Sequence, residues 1–164
     1  MTYRRFAAMI LVSTIVMYGL MFLNTYQFDH VRFSETRLYM ALIMGAVMAA
    51  IMMGFMWSMY EKARINQAII ALAIVVFAGS LWLVRSQATV GDVAYMKAMI
   101  PHHSIAVMTS ERARIRDPRV RDLADSIIEA QLREIDEMNA LIADLSREPP
   151  AADAPALPPR SATL

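Results

Sequence analysis

The sequence contains no cysteine. Disulfides, thiolate metal ligands and thiol nucleophiles are therefore excluded, and any metal must be held by nitrogen, oxygen or thioether donors. Charge is missing where it bears most on protein class. Phe6–Leu23, Leu38–Met59 and Ala68–Val84 contain no Asp, Glu, Lys or Arg. Each run holds about 17–22 residues, enough to cross a ~30 Å hydrocarbon core at 1.5 Å per helical residue. An Arg or Lys at the centre of a span costs about 2.5–3.5 kcal/mol, so their absence from all three runs is informative. Net charge is only +1, which supplies no global field for nucleic acid, and none is predicted as a partner. HExxH is absent, and the residues three before His102 and His103 are Met99 and Ile100 rather than Glu. Zinc-protease and di-iron sites thus lack their motifs. No nucleophile–base pair or phosphate loop occurs, and no enzymatic activity is predicted.

What the chain has instead is apolar residues, 57% of the total, and methionine, 15 of 164. The three uncharged runs predict an all-α protein whose N-terminal half, 1–85, is a three-helix transmembrane region. The first run follows Arg4 and Arg5, but Asn24-Thr25-Tyr26 offers no small-x-small cleavage site, so it reads as a retained span and not a signal peptide. Arg4, Arg5, Lys62 and Arg64 outweigh Arg32 and Arg37, which are offset by Asp29 and Glu35. The positive-inside bias then puts the N-terminus and second loop in the cytoplasm and everything after Arg85 outside, the periplasm of a bacterium with this protein in its inner membrane.

Past the membrane, 86–147 predicts an antiparallel helical hairpin. Asp92 reads as the cap of the first helix, which runs to about Arg116. Asp117-Pro118 starts the second, with Asp as N-cap and Pro at the first helical position. From Glu148 to Leu164 the Pro-rich tail is predicted to be disordered. On the second helix, Val120, Ala124, Ile127, Ile135, Met138, Ile142 and Leu145 lie within about 40° of Gln131, and Glu134 about 60° from it, at 100° per residue. On the first, Met96, Met99, Val107 and Ser110 lie within about 40° of His103, while His102 is about 100° away. Folding at Asp117 pairs residues whose numbers sum to roughly 234, setting His103 against Gln131, Met99 against Ile135 and Met96 against Met138. Burying imidazoles, thioethers, an amide and a carboxylate together is costly without partners, and Met and His donors without thiolates suit copper. Pro101, inside the helix just before the two histidines, removes a backbone hydrogen bond.

Met99-Ile-Pro-His-His103 with Ala106, then Ile128, Gln131, Glu134-Ile135 and Met138, resembles the bacterial family called domain of unknown function (DUF) 305. Asp92 and Tyr95 fit as well. The likeness covers about 91–145. It implies a ferritin-like helical bundle and copper binding in the periplasm, and the three spans resemble a membrane-anchored subgroup. The family commonly has methionine where this chain has Thr109, and leucine where it has Met96. The expected ligands are Met99, His102 and His103, with Met96 and Met138 next, and Gln131 and Glu134 orienting the histidines. Cu(I) is favoured over Cu(II).

The second span carries Met40, Met44, Met48, Met52 and Met56 at four-residue steps. Such a row drifts about 40° per step, a poor fit to one narrow pore, and methionine commonly fills gaps between helices. Ala41, Gly45 and Ala49 form one row of small residues, and Ala46, Ala50 and Gly54 another, both suited to close helix packing in lipid. Asp29 and His30 read as solvated loop residues, the alternative being a place near the hairpin's base where they donate to a metal, and the arginines at 112, 114, 116, 119 and 121 read as a solvated hairpin tip. A two-helix hairpin buries its apolar stripe poorly alone, so a homodimer is expected. The function that follows is a membrane-anchored copper-binding protein that sequesters copper or passes it to other periplasmic copper proteins. Its rival is a metal-free membrane scaffold whose hairpin holds a partner or oligomerises.

Overall fold

A computed structural model of the chain describes residues 2–151 and 153–158. Among these the protein is all-helical. Five α-helices follow in order: α1 Tyr3–Leu20, α2 Glu35–Phe55, α3 Ala63–Ser86, α4 Asp92–Arg112 and α5 Pro118–Arg147. The first three are long and apolar enough to cross a membrane. Each begins before its uncharged run, and for α1 and α2 a side-chain cap sets the start. Thr2 caps α1 by accepting from Arg5 N–H, and Ser34 caps α2 by accepting from Arg37 N–H. The end of α2 differs from expectation: the helix stops at Phe55 and tightens into a 3₁₀ turn, Trp57–Met59, although the apolar run continues to Met59.

Helix α2 is the middle element of the membrane half, packing against α1 and most extensively against α3. The small residues explain how. Ala41, Gly45 and Ala46 are buried, and a Cβ at Gly45 would collide with the Thr14 hydroxyl of α1. Ala49 and Ala50 are half-buried. Gly54, predicted to pack, does not: it is exposed, and a Cβ there would meet nothing within 4 Å. The second small-residue row therefore runs out of the interface one turn early, where α2 approaches its C-terminal end. Only 6%, 22% and 11% of the three spans is buried inside the chain, so most of their apolar surface is left for lipid or another protein. The methionine row winds with the helix and leaves Met40 39% exposed, whereas Met53, next to Met52 of the row, is fully buried against Phe6 and Tyr60.

One end of the bundle is fastened by polar contacts. Tyr3 Oη donates to Asn66 Oδ1 at 2.9 Å, and Asn66 Nδ2 donates to the Tyr60 carbonyl at 3.2 Å. The fully buried Asn66 is thus satisfied on both sides of its amide. At the other end lie the loop 21–34 and the exit of α3, where Gln87 takes the left-handed conformation (φ 52°, ψ 22°) that ends many helices. Tyr39 and Thr89 share a 2.8 Å hydrogen bond there.

Helices α4 and α5 pack as an antiparallel hairpin. Asp117 caps α5 through Arg119 N–H, with Pro118 at its first turn, as expected. Two boundaries shift. Gly91, not Asp92, is the cap of α4, and α4 ends at Arg112, leaving 113–117 as the connection. Arg114 and Arg116 therefore lie outside the helix. Pro101 neither ends α4 nor starts a new helix. Arg121 Nη2 reaches across the turn to the Ser110 carbonyl at 2.9 Å. The described part of the Pro-rich tail is exposed and without regular secondary structure, and residues 152 and 159–164 of it lie outside the described residues.

If Gly45 sets the α1–α2 distance, Gly45→Val should destabilise the membrane half by about 1–3 kcal/mol through overpacking. Gly54→Val should change little. Thermal unfolding of both variants in the same detergent checks the contrast.

Candidate metal centre between α4 and α5

The apolar stripes of α4 and α5 meet, but α4 buries Ile100 at the centre, where the sequence register places His103 and Met99. Met96, Ile100, Ile135 and Met138 form the buried centre, with Val93, Met99, Ile142 and Leu145 packed against it. Beside this centre lies a cavity of about 530 Å³, lined by Asp92, Tyr95, Met96, Met99, His103, Glu134, Glu137, Met138, Leu141 and Leu145. Three thioethers and one imidazole thus border a single space with a carboxylate rim.

His103 is the key group. Its side chain is 12% exposed, and its Nδ1 stands 3.2 Å from Glu134 Oε2. The approach is close but poorly aligned, so this buried nitrogen makes no hydrogen bond. Burial pushes the His103 pKa below its usual value, and the Glu134 charge opposes that shift. The ring therefore favours its neutral form, which is the form that binds metals. A carboxylate beside Nδ1 leaves Nε2 as the nitrogen for a metal, an arrangement common around metal-bound histidines.

The other expected ligands divide. Met96, Met99 and Met138 line the cavity with His103. His102 does not. It is exposed, and its ring centroid lies 6.1 Å from that of His103 with the planes 59° apart. The reason is helical geometry: adjacent residues diverge by about 100°, so one apolar stripe holds only one of the pair. Gln131 is half-buried but lies outside the cavity lining. Thr109 spends its hydroxyl on its own helix, donating to the Ile105 and Ala106 carbonyls. No group of three or more His, Asp or Glu side chains converges among the described residues, so a metal held here would depend on thioethers. Three sulfurs and one imidazole fit Cu(I), a soft ion, better than a hard cation.

The other side of α4 departs from the sequence reading. His30, read as a solvated loop residue, is instead buried at 7% exposure. Its Nδ1 is 2.9 Å from the hydroxyl of fully buried Ser104, which also accepts from the Tyr26 backbone N–H at 2.7 Å. Tyr26 further bonds Glu111, which raises the phenol pKa. Val31, Arg32 and Phe33 continue the strap, bordering a hollow with Lys97, Asn139 and Ile142. The loop between α1 and α2 therefore lies along the back of the hairpin. The stretch 28–33 mixes polar and apolar residues over too few positions for a period to show this.

Residues 92–161 match the family described as Domain of unknown function (DUF305). The chain is also 35% identical over 106 residues to the uncharacterized protein L153 of Acanthamoeba polyphaga mimivirus, an alignment covering 63% of this chain and 68% of that one. The chain belongs to the DUF305 family. No solved structure matches it. The DUF305 match begins at the first residue of α4 and runs past the end of α5, so the family segment contains the cavity-bearing hairpin.

The strap carries a pH dependence. Burial holds the His30 pKa below its ordinary 6.5, opposed in part by Asp29 and Asp136 and reinforced by Arg32. A histidine whose folded pKa is depressed stabilises docking fully above its unfolded pKa and loses that contribution as pH falls toward the folded value. Hydrogen-exchange protection at Tyr26–His30 should therefore drop in mild acid, below about pH 6. A His30→Gln variant should show no such drop.

Proposed function

We propose that this protein is a membrane-anchored copper-binding protein, which sequesters copper or hands it to other copper proteins outside the cytoplasm. The single observation that carries the reading is the shared border of Met96, Met99, His103 and Met138 on one cavity, with Glu134 beside His103 Nδ1. Burying an imidazole among thioethers is costly unless its nitrogens find partners; a metal on Nε2 would supply one, while Glu134 faces Nδ1. Copper, when bound, would sit as cargo on soft donors, which retain Cu(I) without assisting a reaction. Glu134 would orient the ring, and Asp92 and Glu137 at the rim would draw a cation toward the cavity.

The three apolar helices fit an anchor in this reading. Basic residues at Arg4, Arg5, Lys62 and Arg64 favour a cytoplasmic N-terminus, which sets the hairpin in the periplasm of a bacterial cell. A ferritin-like bundle would follow if two hairpins combine.

Competition titration of the purified full-length protein with a Cu(I) chelator tests the assignment. His103→Ala should weaken Cu(I) binding at least ten-fold, about 1.4 kcal/mol or more. Met99→Leu with Met138→Leu should weaken it comparably while keeping the core volume, since Leu and Met exchange at little packing cost. Equal binding by wild type and all variants would defeat the copper reading and leave the hairpin as a scaffold.

A further inference from the structure

The hairpin is covered on one side only. The strap from Tyr26 to Phe33 occupies the face of Ser104, Lys97 and Asn139. The opposite face carries the cavity, and no other segment lines it. Its apolar rim remains open, with Tyr95 54% and Leu141 45% exposed, and Leu123, outside the cavity further along α5, is 61% exposed. On α5, Leu123, Glu134 and Leu141 fall within about 20° of one another at 100° per residue, forming one stripe along the open side. On α4, Tyr95 and His102 likewise lie about 20° apart. His102, which the cavity of its own chain does not include, thus stands on the open face.

We infer that a second copy of this chain covers the open face, and that His102 of each copy completes the copper cavity of the other. The inference rests on the copper reading above. Its occupant follows from geometry and charge. Two copies held by their spans in one membrane leave it at the same end, so their hairpins stand side by side at equal height. In the antiparallel register His102 is level with residues near 132, and Tyr95 with residues near 139, by the rough 234 rule. Across a two-fold axis normal to the membrane, His102 then meets the partner's Glu134, and Tyr95 meets the partner's Leu141. Imidazole faces carboxylate, and an aromatic ring covers an aliphatic side chain. The competing occupant, an anionic lipid headgroup, is disfavoured by Asp92, Glu134 and Glu137 around the cavity. A second layer is also what a two-helix hairpin needs to bury its stripe.

The absence of cysteine makes the first test direct. Differently tagged Tyr95→Cys and Leu141→Cys chains, co-expressed and treated in native membranes with a short bismaleimide, should cross-link to mixed dimers. Tyr95→Cys paired with Glu129→Cys, exposed on the far side of α5, should not. Equal cross-linking of both pairs overturns the proposed face. The second test mixes differently tagged His102→Ala and His103→Ala chains and isolates the mixed dimer. Sharing in trans leaves one intact site per mixed dimer and none in either parent, so Cu(I) affinity should return to wild type at half the stoichiometry. Mixed dimers that bind no better than the parents, while wild type binds tightly, overturn the shared site and leave the copper reading standing. A wild type that fails to bind Cu(I) ends both, and failure to isolate any mixed dimer ends the second copy.

Discussion

The Ser104 hydroxyl is the point on which the arrangement of the two halves depends. It is fully buried and bonds both the Tyr26 amide and the His30 ring. Through it, a loop fixed at both ends by membrane helices is held along the back of α4. A hydroxyl so placed costs about 1–3 kcal/mol if left unsatisfied, so the loop and the helix hold one another in place. Ser104 also follows His103 directly in the chain. Anchoring one residue to the strap turns its neighbour away from the strap, because successive residues are about 100° apart.

That division of faces organises the hairpin. The strap takes the polar flank of α4, the two apolar stripes take each other, and the remaining flank holds the cavity. Methionine suits such a border, since its unbranched thioether fills irregular gaps and also offers a soft donor. The same residue type in α2 serves packing: Met53 is buried against Phe6 and Tyr60, whereas Met40 faces outward. Composition alone does not separate these roles. Position relative to an imidazole and a carboxylate does.

Much of the fold was legible in the chain because membrane spans and helix caps are local properties. The uncharged runs marked three apolar helices, and Asp117-Pro118 marked the start of α5. The hairpin register brought Met96 and Met138 into one cluster, since helical period and a short connection leave little freedom. Boundaries moved where local backbone conditions overrode hydropathy, as at Trp57–Met59 and Gly91. The candidate site was legible as a stripe but not as a set. Met96, Met99, His103 and Met138 came together, and His102 fell to one side because two adjacent residues cannot share a narrow stripe.

By itself, the sequence determined the helices, their apolar faces and the chemistry they carry, because these depend on spacing along a chain of known period. Tertiary structure decided which face is covered and which is open. It buried His30 and Ser104, left Gly54 without a neighbour, and placed His103 beside Glu134 while turning His102 away. Those outcomes depend on contacts between segments tens of residues apart, and no local periodicity encodes where a loop will lie.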